Sequence, residues 1–311
     1  MAPPTIQKVL TSSDGVKIFT EASGDPSKPH VVLIHGLSFS GAVFDEFCQR
    51  EDVLRSLYIV RADLRGHGRS GQPLTPDGHT SGLYADDYKA VIETHDLHKP
   101  VHVGWSLGGK SRFLLHGWYH RFMDTFVRAG MISPDICAHL GPDAISGIVF
   151  LSSLACVKDI WTGGVTPLVL DVFERVKTPS LVPKALTDFA DACFVSDASK
   201  AVSYPMRCMW YGMGASQPQV CRALAMTHEQ NTEPLWKAVE EGLPVCVIHG
   251  ESDAMIFSHV LVGQMKAAGA QNLEVVMIPG AGHTLTWEEP NKVADALISF
   301  VERVWVVDEP V

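Results

Sequence analysis

Short unbroken apolar runs alternate along the chain with longer segments in which apolar positions recur every three or four residues. His30–His35, Leu57–Ala62, Val101–Gly104, Gly147–Leu151, Pro244–His249 and Leu273–Ile278 are runs of the first kind. A strand with both faces covered needs such a run, whereas a strand with one wet face alternates, so these segments predict the strands of a parallel sheet. Tyr84–Thr94, Leu107–Phe122 and Asn291–Val304 carry the helical pattern between them. Strand–helix alternation of this kind predicts an α/β architecture with a mostly parallel, doubly wound sheet. Thr11–Thr20, with Asp14-Gly15 as its turn, predicts an antiparallel hairpin at the start.

Two stretches interrupt the alternation. From Ala155 to Thr232 there is no run suited to a parallel strand; prolines, aromatics and the helical stripes LVLDVFERV, ALTDFADACF and VCRALAM occupy it instead. The expectation is an α/β core formed by residues 1–154 and 233–311, with a helical cap inserted at 155–232. Trp118–Pro142 is also longer than a helix-to-strand connection requires, which predicts one extra helix or a helical hairpin.

Composition adds exclusions. The formal net charge of −10, with no run of Lys and Arg, speaks against nucleic acid or an anionic membrane as a partner. No segment approaches the roughly 20 apolar residues of a membrane-spanning helix, and the N-terminal residues lack a signal-peptide core. The seven cysteines include no CxxC pair, so free thiols in a reducing, cytoplasmic setting are expected, with no metal site.

The chemistry concentrates in a few motifs. Gly104-Trp105-Ser106-Leu107-Gly108 follows a strand and opens a helical pattern, the context of a nucleophile elbow. The serine there sits on a sharp turn, and glycines two positions away let strand and helix pack closely. A serine hydroxyl needs a general base and a group that orients it. Asp253 in HGESDAMI and His283 in PGAGHTLTWEEP supply both, in the order serine, acid, histidine, at the carboxyl ends of predicted strands where open α/β sheets place their sites. Glu251 and Asp63 are local rivals for the acid. Asp63 runs into Leu64-Arg65-Gly66-His67-Gly68-Arg69-Ser70, which reads as a turn pinned by polar contacts, so a structural part is expected for it. Donors for a developing oxyanion are expected in the backbone N–H groups of Leu37, in the His35-Gly36-Leu37-Ser38 loop, and of Leu107 at the start of the elbow helix.

HGLSFSG, DLRGHGRSG, GWSLGG, HGESD and GAGH, in that order, together resemble the α/β-hydrolase superfamily, near its small serine esterases and cofactor-free haloperoxidases. The resemblance spans Val16 to Phe300. It implies a triad of Ser106, Asp253 and His283, with Leu37 and Leu107 framing the oxyanion hole. Epoxide hydrolases and haloalkane dehalogenases resemble the chain elsewhere but carry an aspartate where Ser106 stands, so their activities are not expected.

The expected function is hydrolysis of a small carboxylic ester through an acyl-enzyme, without a cofactor. Trp105, Trp161, Phe194, Trp210 and Tyr211 are candidates for the substrate pocket, with cap core as their other reading. The same triad could serve lactone, thioester or C–C bond hydrolysis, acyl transfer or perhydrolysis, which a panel of acyl donors would separate. A ligand-binding receptor with slow residual hydrolysis is the reading from another class, and fast turnover of aryl esters would count against it.

Overall fold

The computed structural model describes residues 5–106, 132–156, 159, 163–195, 202–225 and 228–305. The predicted hairpin is present as β1 (Ile6–Thr11) and β2 (Lys17–Ser23). β3 (His30–Ile34), β4 (Tyr58–Ala62), β5 (Val101–Trp105), β6 (Gly147–Leu151), β7 (Val245–Gly250) and β8 (Leu273–Ile278) follow the apolar runs to within a residue or two. The strands form one sheet in the order β1-β2-β4-β3-β5-β6-β7-β8, parallel from β4 to β8. β2 joins β4 antiparallel.

From β3 the chain steps outward to β4 and then returns to pair β5 on the other side of β3. Loops leaving β3 and β5 therefore part in opposite directions, and the crevice at their carboxyl ends is where such sheets receive ligands. The loop after β3 carries Gly36 to Ser38, and β5 ends one residue before Ser106.

Every residue of β3 to β7 is buried, as their unbroken apolar runs require. β8 departs from the expectation of burial on both faces. It is the edge strand, and Val275 and Met277, which share one of its faces, are exposed.

One face of the sheet packs against α1 (Ser81–Thr94), α2 (Ser133–His139), α7 (Glu233–Glu240) and α8 (Ser258–Ala267), through residues such as Tyr88, Ile136, Leu235 and Met265. α2 lies inside the predicted extension at Trp118–Pro142; positions 118–131 of that extension, and the helix expected at Leu107–Phe122, lie outside the described residues. The other face packs against α9 (Pro290–Val304) and, without a break in the apolar cluster, against helices lying between β6 and β7 in sequence.

Those helices are α3 (Pro167–Arg175), α4 (Val182–Ala192), α5 (Tyr204–Ser216) and α6 (Gln219–Ala225). Among the described residues of this insert there is no sheet strand, only an isolated antiparallel bridge from Val165 to Ile256. Val169, Val172 and Phe173 of α3, and Ala185, Leu186, Phe189 and Ala190 of α4, recur at helical spacing and bury one stripe of each helix. Burial contributes about 1.5–3 kcal/mol for each large side chain of this kind, which holds the insert on the core.

Candidate active site

Ser106 directly follows β5 with φ at 63°, a left-handed value that costs a residue with a Cβ some strain. Its neighbours hold it there. The Ser106 N–H donates to the Leu151 carbonyl of β6 at 3.2 Å, and the Ser153 hydroxyl donates to the Ser106 carbonyl at 3.0 Å. Gly36 lies so close that a Cβ on it would stand 2.7 Å from Ser106 Cβ, so the loop after β3 can press on the serine only with glycine at this position.

His283 is fully buried on the loop after β8, and its Nε2 hydrogen-bonds Ser106 Oγ. Four contacts fix this loop. The Trp105 indole donates to the His283 carbonyl at 2.9 Å, the Thr284 N–H and hydroxyl both donate to the Cys193 carbonyl at 3.0 Å, and Glu288 Oε2 accepts from the Gly282 N–H at 2.7 Å. The other Glu288 oxygen accepts from the Val195 N–H, so this carboxylate links the histidine loop to the insert. Burial pushes the Glu288 carboxyl above its ordinary value, against the pull of the two N–H groups it accepts.

Asp253 lies on the loop after β7 with a side chain 1% exposed. Its Oδ2 is 2.8 Å from His283 Nδ1, and its Oδ1 accepts from the N–H groups of Met255 at 2.8 Å and Ile256 at 3.1 Å. Burial alone would push the Asp253 carboxyl up. The facing imidazole of His283, with His249 and the Met255 N–H behind it, outweighs burial and holds the carboxyl below its ordinary value. The hydrogen bond with His283 Nδ1 and the two N–H donors suit a carboxylate that orients an imidazole.

The structure thus joins Ser106, His283 and Asp253 in one hydrogen-bonded series. The rivals fall elsewhere. Glu251 is exposed. Asp63 accepts from the Gly41 N–H at 2.7 Å and from Arg69 through its N–H at 2.9 Å and its Nε at 2.8 Å, which is the pinned turn its sequence suggests.

Of the oxyanion donors, Leu37 follows Gly36 and is buried, and its N–H has no hydrogen-bond partner among the described residues. Leu107 lies outside the described residues, as does Trp161. Three pocket candidates meet beside His283. The Trp105 ring is 5.4 Å from His283 and 6.1 Å from Trp210, and Trp210 is 5.0 Å from Phe194. Phe39 joins them, 5.0 Å from Trp210 and 5.5 Å from Trp105. Tyr211 is not part of that group; its hydroxyl donates to Asp191 within the insert.

Two residues next to this constellation escape the sequence reading. His249 Nε2 lies 3.3 Å from Asp253 Oδ2, and Glu288 is the clamp just described. Their signal is positional only: one precedes Asp253 by four residues and the other follows His283 by five. Among the described residues, no group of three or more His, Cys, Asp and Glu could hold a metal ion.

A strained serine at a strand end, a buried imidazole and an ionised aspartate at the switch point of such a sheet describe an α/β hydrolase. Residues 31–296 match the Alpha/beta hydrolase family, and the chain belongs to it. It is 26% identical over 300 residues to a bifunctional esterase/perhydrolase from Acinetobacter calcoaceticus, covering 94% of this chain and 98% of the relative. Its fold is similar to that of an esterase from Rhodococcus sp. ECU1013, with TM-score 0.76, 20% identity, and coverage of 96% and 99% of the two chains. A bromoperoxidase from Bacillus anthracis gives TM-score 0.73 at 22% identity, with 96% and 100% covered.

Proposed function

We propose that the chain is a serine esterase that cleaves a small carboxylic ester through an acyl-enzyme. One observation carries the reading: the buried series from Asp253 through His283 to the strained Ser106. Ser106 Oγ attacks the ester carbonyl carbon while His283 Nε2 takes its proton. Asp253 holds Nδ1–H and offsets the imidazolium charge. The carbonyl oxygen becomes an oxyanion that the Leu37 N–H can meet, with the Leu107 N–H as the second donor this reading assigns. Collapse breaks the bond to the alcohol oxygen, which leaves with the proton from His283. Water, deprotonated by the same imidazole, then attacks the acyl-enzyme and releases the acid.

The β6–β7 insert serves in this reading as a cap over residues 155–232, with Trp105, Phe194 and Trp210 lining the acyl side. A second reading, perhydrolysis, draws on the bifunctional relative, which spans nearly the whole chain. There hydrogen peroxide replaces water and the acid leaves as a peracid. Fluorophosphonate labelling of Ser106, followed by release of acid and of peracid from a series of esters with and without peroxide, tests both. An unlabelled Ser106 in the folded protein would remove the serine mechanism, and acid alone in the presence of peroxide would remove the second reading.

A further inference from the structure

Three arginines are buried among the described residues: Arg61, Arg65 and Arg222. Arg61 is paired with Glu21 and Asp45, and Arg65 with Asp14 and Asp87. Such partners are what make burial of a guanidinium tolerable. Arg222, on α6 of the insert, is 4% exposed and has no carboxylate within ion-pair distance among the described residues. It has neutral oxygens only. Nε donates to the Ser38 hydroxyl at 2.8 Å, and Nη2 donates to the carbonyls of Gly214 at 2.6 Å and Gln217 at 3.3 Å. Nη1 has no partner among the described residues. The contrast reaches the charge itself: the carboxylates beside Arg65 outweigh burial and raise its pKa, whereas burial pulls Arg222 down to about 10.

The place of this charge matters. Ser38, with φ at 64°, is the residue after Leu37 and the second after Gly36, which lies against Ser106. Two residues of chain span no more than about 7 Å, so the guanidinium is docked on the loop that faces the reacting serine. The same corner holds other unpaired atoms. His67 Nε2 and Gln217 Oε1 are buried with no hydrogen-bond partner, and the positive charge of Arg222 is among the influences on His67. Those two atoms are acceptors, the His67 ring donating through Nδ1 to the Arg65 carbonyl, so the donors left for an anionic group are the Nη1 hydrogens of Arg222.

We propose that Arg222 binds a carboxylate of the substrate, so that the site takes esters whose acyl or alcohol part bears a second, ionised carboxyl group. This rests on the ester-hydrolase reading for its chemistry, but the anion site can be tested apart from it. Monoethyl glutarate and ethyl pentanoate have equal acyl length and differ in a terminal carboxylate. Their kcat/KM ratio, followed by acid release at constant pH, should favour the half-ester in the unmodified protein. A hydrogen bond to a charged group corresponds to a factor of roughly ten to a hundred, and Arg222→Gln should reduce the ratio by that order. Arg222→Lys should keep part of it. The ratio cancels general damage to the active site.

Calorimetric binding of the same two esters to the Ser106→Ala protein gives the second arm. Tighter binding of the half-ester there, lost in Ser106→Ala/Arg222→Gln, supports the anion site even if neither ester is turned over, an outcome that would sink the esterase reading alone. Turnover of both esters with no preference, and equal binding in the Ser106→Ala protein, would overturn the anion site and leave the esterase standing. Should Arg222→Gln fail to fold, the unmodified protein and Arg222→Lys decide in the same way.

Discussion

Ser106 and His283 share a hydrogen bond and are both buried, and in the proposed mechanism neither can be replaced by a neighbour. Ser106→Ala should abolish fluorophosphonate labelling and lower ester turnover by several orders of magnitude, because such residues act as a unit. Asp253→Asn should lose about 10⁴ in kcat while keeping its fold, since an amide favours the wrong imidazole tautomer; Glu251→Gln, altering an exposed side chain, should stay within a few-fold. The reverse order of damage would move the orienting role to Glu251. A residue of another kind contributes to the response to acid. His102 of β5 is fully buried with both ring nitrogens unbonded among the described residues, and burial pulls its pKa from 6.5 to about 3. The unfolded chain binds a proton at this histidine below about pH 6.5 and the folded chain does not, so its contribution to stability is complete above that pH and lost as the pH falls towards 3. Urea unfolding across pH 7 to 4 should show His102→Leu with a slope of stability against pH shallower by about one proton. At this scale the sequence was informative where a residue type sits in a fixed local frame, as in GWSLGG, HGESD and GAGH. It was silent on His249 and Glu288, whose roles exist only once loops distant in sequence are brought together. Arg222 is intermediate: a lone charge inside the apolar stripe VCRALAM is a visible anomaly, but that no carboxylate among the described residues lies beside it is a tertiary fact.

The insert meets the rest of the site through aromatic packing and through Glu288. Trp210, 1% exposed and in ring contact with Phe39, Phe194 and Trp105, belongs to the apolar cluster and touches the residue next to Ser106 at once. Trp210→Ala should therefore cost about 3–5 kcal/mol of stability and also raise the hydrolysis of an octanoate ester relative to an acetate ester. A loss of stability with chain-length preference unchanged would assign it to packing alone. Glu288→Gln keeps one acceptor and loses the charge that receives the Gly282 and Val195 N–H groups. It should lower kcat more than it alters KM, because it loosens the loop carrying His283 rather than a substrate contact; a change in KM alone would contradict that. Elements were legible in the sequence to the degree that burial on both faces marks them. β3 to β7 have that burial and stand where their apolar runs predict. β8 has an equally apolar run, yet being at the edge depends on the order of strands, which no single strand encodes, and so the exposure of Val275 and Met277 could not be read from LEVVMI.

Across the whole molecule, the apolar cluster on one face of the sheet passes from β3 and β5 through Phe39 and Trp105 into α3, α4 and α5 without a polar layer between. The insert and the core should consequently unfold together, and tryptophan fluorescence and far-UV circular dichroism should give one coincident urea transition. An earlier, separate fluorescence transition would mean that the insert is a stable unit of its own. The order of strands has a consequence in time as well as in space. Ser106 and the imidazole it hydrogen-bonds are 177 residues apart, and the strand before His283 is the last to join the sheet in sequence. In the proposed mechanism the serine emerges during synthesis long before its base and stays chemically ordinary until the final strand is seated. Reaction of Ser106 with an activated phosphonate would then record the moment at which a newly made chain has completed its sheet, a clock for folding set by the chain itself.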